Sequence, residues 1–136
     1  MGRLLAIDYG AKRTGIAVSD PLQIIATGLT TVETKVLMPF LKKYFEAEEV
    51  SLVLVGLPVD LQNRDTDATE MVRQFMLKFE ALFPAMPLKT LDERFTSKMA
   101  SQSILMSGLK KKDRSNKALV DEVSATILLQ GYMQGL

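Results

Sequence analysis

The side chains able to do chemistry in this chain are few, and the acids stand out among them. Asp8 closes an apolar run, Leu4 to Ile7, inside "AIDYGAKRTGIAVSD". Asp92 and Glu93 sit together in "LDERFTS", and Asp121 and Glu122 in "KALVDEVSATILLQGYMQ". A carboxylate at the end of a buried strand loses hydration unless it is paired, bound to a metal or placed at a sheet edge. Alone, each acid has an ordinary reading. Asp8 could accept amides in the Gly10 turn, Asp92 and Glu93 could favour a helix N-terminus, and Asp121 could pair with Lys117 one helical turn away. Together they suggest a device. Two divalent ions about 4 Å apart need several carboxylates converging from different elements, and such a pair activates a water and stabilises the leaving oxygen of a phosphodiester.

What the chain lacks sharpens this reading. It has no histidine and no cysteine. Imidazole bases, thiolate nucleophiles, disulfides and thiolate metal sites are excluded. Oxygen ligands alone suit Mg²⁺ or Mn²⁺ rather than zinc. Seventeen basic residues against 16 acidic ones leave a formal net charge of +1, so attraction to a polyanion must be local. The local cations are Lys12 and Arg13 beside Asp8, Arg94 beside Glu93, and a run of Lys98, Lys110, Lys111, Lys112, Arg114 and Lys117. That run reads first as a solvated loop, and as a functional element it could clamp a phosphate backbone. No aromatic residue interleaves with it, so base stacking is not supported there.

The elements that must position these residues follow from patterning. Arg3 to Tyr9 and Thr14 to Ser19 read as strands joined by a short turn at Gly10, and Gln23 to Val32 as a third strand of a meander. Leu37 to Glu48 reads as a helix, with Pro39 tolerable in its first turn. The continuous apolar run from Leu52 to Gly56 reads as a strand covered on both faces. Val72, Phe75, Met76, Phe79, Leu82 and Phe83 give helical spacing to a segment from Asp65 to Phe83, which Pro84 and Pro87 end. Leu88 to Leu91 reads as a short strand. A helix capped by Thr96 or Ser97 and stopping at Gly108 follows, then a loop over Lys110 to Lys117. The last helix spans about Lys117 to Gln134 and is apolar nearly all round, so it should be packed on more than one side. Asp121 shares a face with Ala125, Leu128 and Tyr132, and Glu122 shares its own with Leu119, Leu129 and Met133; periodicity does not choose between them. In "VGLPVD", Gly56 and Pro58 read as turn punctuation or as a close backbone approach to substrate. The order of elements points to an α/β fold, a mixed sheet with helices on both faces.

At 136 residues the chain fits a single domain, 1–136. Its N-terminal apolar run is too short for a secretory signal, and no stretch approaches the roughly 20 residues of a membrane span. A soluble, cytoplasmic protein without membrane attachment is expected.

"DYGAKRTGIAVSD", "VGLP", "DERFTS" and "VDEVSATILLQGY" occur in the order found in the YqgF family, whose members are pre-16S rRNA nucleases also described as Holliday-junction-resolvase-like. The resemblance spans nearly the whole chain. It implies a ribonuclease H-like fold with a five-stranded mixed sheet flanked by helices. It also implies a catalytic, metal-binding trio of Asp8, Glu93 and Asp121, so that it selects Asp121 over Glu122. Lys12, Arg13 and Arg94 match basic motif positions with a role in phosphate contact. Leu61, Gln62 and Asn63 depart from the acidic-glycine pair that follows "GLP" in many relatives, which bears on the loop's shape and not on the acids. The implied activity is Mg²⁺- or Mn²⁺-dependent hydrolysis of precursor rRNA or another structured RNA. A resolvase acting on branched DNA is the alternative within the same chemistry, and would normally need a symmetric dimer. A non-catalytic RNA-binding assembly factor is the alternative outside it, disfavoured because a binder gains nothing from acids that repel phosphates. "DYGAKRTG" also has the look of a first phosphate loop of the actin and sugar-kinase class, but that class encloses ATP between two such domains and this chain is too short.

Overall fold

The structure is a computed structural model and describes residues 2–57, 67–92 and 117–134. Five strands form one sheet: β1 (Arg3–Asp8), β2 (Arg13–Ser19), β3 (Ala26–Glu33), β4 (Val50–Leu57) and β5 (Leu88–Asp92). Their order across the sheet is β3-β2-β1-β4-β5. The first three strands are the antiparallel meander that the short Gly10 turn implies, and β4 and β5 run parallel to β1. The third strand starts at Ala26 rather than Gln23. Gln23 instead has a φ of 59° in the turn before it, where the Asp20 carboxylate accepts the amides of Ile24 (2.6 Å) and Ile25 (2.8 Å). The Ile25 amide foremost holds the Asp20 carboxyl below its ordinary pKa, against a smaller opposing effect of desolvation. The contribution of this turn to stability is therefore present above the unfolded carboxylate pKa, and is lost as pH falls through the folded one.

Alternation along β1 divides the core into two layers. Leu5 and Ile7 point to one face, where helix α1 (Leu37–Ala47) and helix α2 (Asp67–Leu82) cover them. Leu4 and Ala6 point to the other face, which helix α3 (Lys117–Met133) covers through Ala125, Leu128 and Leu129. Both faces of β1 are thus dry, as its unbroken apolar run requires. A 3-10 turn, Thr34–Val36, leads from β3 into α1, and Pro39 falls in the first turn of that helix. The helix expected between Thr96 and Gly108 and the Leu61–Asn63 turn lie outside the described residues, as does the loop expected over Lys110 to Lys117 except for Lys117 itself, which begins α3.

An aromatic cluster holds the α1/α2 layer. Phe79 is fully buried and contacts Phe75 (5.9 Å), Phe83 (5.0 Å) and Phe45 (6.2 Å, edge to face). Tyr9, the residue after β1, stacks on Phe75 with ring centroids 4.8 Å apart. This contact ties the end of β1 to α2. Phe79→Ala should cost about 3–5 kcal/mol in urea unfolding, because it opens a cavity among three rings that have no other filling.

Candidate active site

The C-terminal ends of β1, β4 and β5 lie at one edge of the sheet because the three strands are parallel. This is the edge where open sheets carry their sites. Asp8 is the last residue of β1 and is half-buried. It follows Leu4 and Ala6 at a spacing of two, so it belongs to the face covered by α3. Gly15 of β2 pairs with it on one side. On the other side Ile7 pairs with Val55, which brings Gly56 of β4 level with Asp8. The acid therefore stands between two glycines, and no side chain flanks it in its own row of the sheet.

The turn that follows is held tightly. The Thr34 hydroxyl donates to the Gly10 carbonyl (2.6 Å) and lies 2.9 Å from the Thr14 hydroxyl. Since the single proton of Thr34 goes to Gly10, Thr14 is the donor in that second contact. Thr14 is fully buried, and the Thr34 amide donates to the Lys12 carbonyl (2.9 Å). A β-carbon at Gly10 would collide with the carbonyl oxygen of Arg13, so the turn can close only around glycine. Lys12 is exposed at its tip. Arg13 opens β2 two positions before Gly15, which puts it on the same face as Asp8.

The last helix runs back from this edge towards the opposite end of the sheet. Its C-terminal residues Gln130, Met133 and Gln134 meet Gln23 to Ala26, at the start of β3. Its N-terminal half, with position 121, is therefore the half nearer Asp8. Tyr132 lies towards β5, where the Lys89 ammonium sits over its ring at 5.8 Å. Glu122 points elsewhere: a β-carbon on Gly28 would lie 2.5 Å from its Oε1. Gly28 is in β3, two strands across and two residues down from the level of Asp8, a backbone separation of about 12 Å. Periodicity had left the two acids equivalent, and the structure sets Glu122 over the edge strand.

The second acidic pair lies at the end of β5. Lys89 and Leu91 belong to the α3 face, Leu88 to the other. Asp92 is the last residue of β5. Glu93, Arg94, Lys110, Lys111, Lys112 and Arg114 lie outside the described residues. Among the described residues no group of three or more histidine, cysteine, aspartate or glutamate side chains is placed to hold a metal. What the structure offers such an ion is Asp8 itself, a half-buried oxygen donor between two glycines. The signal that sequence reading missed is this glycine pair, whose significance depends on a register no local pattern contains.

A family model described as RuvX: Holliday junction resolvase matches residues 2–135 of the chain. A protein of Flavobacterium psychrophilum named "Putative pre-16S rRNA nuclease" is 53% identical over 133 residues, covering 98% of this chain and 97% of that one. A protein of Bacteroides fragilis with the same name is 51% identical over 134 residues, covering 98% and 97%. Among solved structures, RuvC of T. thermophilus in complex with a Holliday junction substrate superposes with a TM-score of 0.58 at 16% identity, covering 99% and 98% of the two chains. Fowlpox virus resolvase in complex with Holliday junction DNA gives 0.56 at 10% identity, with 97% of each chain covered. The fold shared with these two is ribonuclease H-like.

The glycines separate by what a methyl group would meet. Gly10→Ala should lose about 1–3 kcal/mol by thermal or urea unfolding, because a backbone carbonyl must move. Gly28→Ala should lose less than about 1 kcal/mol, because the obstacle is the end of the flexible Glu122 side chain.

Proposed function

The chain belongs to the RuvX (YqgF) family, and from that membership we propose a divalent-metal-dependent nuclease that hydrolyses phosphodiester bonds in precursor 16S rRNA. Its relatives at 50–53% identity carry the pre-16S rRNA nuclease name over nearly their full length. The observation that carries the reading is the placement of Asp8 at the sheet edge, on the α3 face, between Gly15 and Gly56. Glu93 is the residue that follows β5 in the sequence. Glu122 is occupied over Gly28, which leaves Asp121 as the acid of α3 that this reading assigns to the site. Asp8, Glu93 and Asp121 are the residues that would hold Mg²⁺ or Mn²⁺. The donor set fits such an ion, since it consists of carboxylates in a chain without imidazole or thiol.

When bound, a divalent pair supplies a nucleophilic water at neutral pH and charge for the leaving oxygen. The chain's own part is position and charge. The glycine pair leaves the strand positions on either side of Asp8 without side chains, which gives a phosphate room to approach. Lys12 and Arg13, and Arg94 with them, draw the phosphate towards acids that would otherwise repel it, and Lys110, Lys111, Lys112 and Arg114 add backbone contacts. The β1–β2 turn, locked by Thr14 and Thr34, fixes where Lys12 can reach. The reading assigns this activity to a single domain, 1–136, acting in the cytoplasm. No helix among the described residues is long and apolar enough to cross a membrane.

The test sets precursor 16S rRNA beside a four-way DNA junction, each with Mn²⁺ and with chelator. Cleavage of the RNA in Mn²⁺ alone is expected, and Asp8→Asn and Asp121→Asn should each lower its rate by at least the roughly 10–100-fold typical of a disturbed metal site. Glu122→Gln should stay within about threefold of wild type, since its carboxylate lies over β3. Mn²⁺ at about 100 times its Kd should also raise unfolding stability by about 2.7 kcal/mol, and Asp8→Asn should lose that shift. Symmetric nicking of the junction with intact RNA would give the resolvase reading instead. RNA binding without any metal-dependent cleavage would leave an assembly factor.

A further inference from the structure

A second cavity opens on the other side of the same turn. Tyr9, Ala11, Thr34, Lys35, Gln74 and Lys78 supply most of its rim, over a floor of Leu37, Met38 and Phe75. Its volume is about 350 Å³, at the lower end of the range for small-ligand sites and enough for a phosphate with its sugar. Of these side chains the nuclease reading uses only Thr34, which braces the β1–β2 turn. Among the described residues no acidic residue lines the cavity, and two lysines do. Lys78 has no ionic partner among the described residues. Lys35 meets Glu33 at 3.2 Å, but both side chains are largely exposed (79% and 66%). Such a pair is worth little and yields readily to a better anion. In a protein of near-zero net charge, two lysines at one cavity are a specific attraction rather than part of a general field.

The position of the cavity says which anion. Asp8 and Tyr9 are consecutive, so their side chains leave the end of β1 towards opposite faces. Asp8 faces α3, and Tyr9 stacks on Phe75 and lines the cavity. Between them runs the turn that carries Lys12. A polynucleotide laid across the edge of the sheet would pass from the acids, over Lys12, into this cavity. We infer that the cavity between the β1–β2 turn, α1 and α2 binds a backbone phosphate of the substrate strand, flanking the phosphate that is cut. This rests on the nuclease reading and extends the substrate's track from one face of the sheet to the other.

Lys35→Ala/Lys78→Ala tests it in the full chain, with Lys42→Ala/Lys43→Ala as the control, since those two exposed lysines of α1 lie outside the cavity. Binding of a labelled single-stranded RNA is measured in chelator across a salt series, and KM and kcat are measured with Mn²⁺. The cavity variant should weaken binding by about three- to tenfold near 0.1 M salt, and its salt slope should fall by about 0.7, the value for one phosphate of a single strand. KM should rise with kcat unchanged, and Lys35→Arg/Lys78→Arg should restore both. Single-stranded DNA of the same sequence should show the same loss, because a phosphate contact does not read the sugar. Unchanged binding and KM in a cavity variant of an enzyme that still cuts would overturn this inference alone, as would an equal loss in the control. A wild-type protein that neither binds nor cuts polynucleotide would overturn the nuclease reading, and this inference with it.

Discussion

The register of β1 between β2 and β4 is the constraint on which the site end of the molecule depends. Strand side chains alternate with a period of two, so a slip by one residue would exchange the two faces. Asp8 would then enter the α1/α2 layer beside Phe75 and Val72, displacing Tyr9 from it, and its carboxylate would be stranded in apolar surroundings. Two different packings prevent the slip. Leu5 and Ile7 fill the deep layer under α1 and α2, while Leu4 and Ala6 fit the shallower contact with α3. Interchanging them would leave a void on one side and a clash on the other, each worth kilocalories. The same register places Gly15 and Gly56 beside Asp8, so the packing of the core also clears the space around the acid.

Small residues make the α3 contact what it is. Ala125 meets a sheet surface that includes Ala6 and Ala17, all fully buried. Side chains this small let the helix axis approach the sheet closely. A helix held close to the sheet carries its polar positions close to it as well, which is why an acid in its N-terminal half can belong to a site at the end of β1. Glu122 shows the same closeness from the other side. Its carboxylate occupies the space that a side chain on Gly28 would need, so β3 must carry glycine there or push that acid aside.

Much of this was legible in the sequence, and the exceptions share one cause. Periodicity located β1, β2, β4, α1, α2 and α3 to within a few residues, because each is long or apolar enough for its pattern to outweigh local propensity. The start of β3 was misplaced by three residues. Gln23 and Ile24 have the composition of a strand, yet the Asp20 carboxylate captures the Ile24 and Ile25 amides and bends the chain into a turn. That is turn chemistry overriding β-propensity. Asp8 was legible as a charge at the end of a buried strand. Its glycine neighbours were not, because Gly15 and Gly56 are brought beside it by strand pairing across 7 and 48 positions of sequence. Helical spacing alone left Asp121 and Glu122 equivalent for a similar reason. What sets Glu122 apart is the strand beneath it, β3, which is a tertiary fact.

The turn after β1 joins the two sides of the sheet in one rigid piece. Its backbone is fastened to the start of α1 through Thr34, and that threonine also borders the cavity with Lys35 and Lys78. Tyr9 is fixed against α2. Lys12, the cavity lysines and Asp8 are therefore carried by elements that cannot move independently without breaking the Thr14–Thr34–Gly10 chain of hydrogen bonds. For a protein whose charges nearly cancel, this geometry replaces bulk electrostatics. A diffuse positive field would hold any polyanion in any orientation, whereas a few cations at fixed distances from an acid favour a strand already aligned for attack. Orientation of that kind reduces the entropy that must be lost at the moment of reaction, and it follows from the packing of one turn.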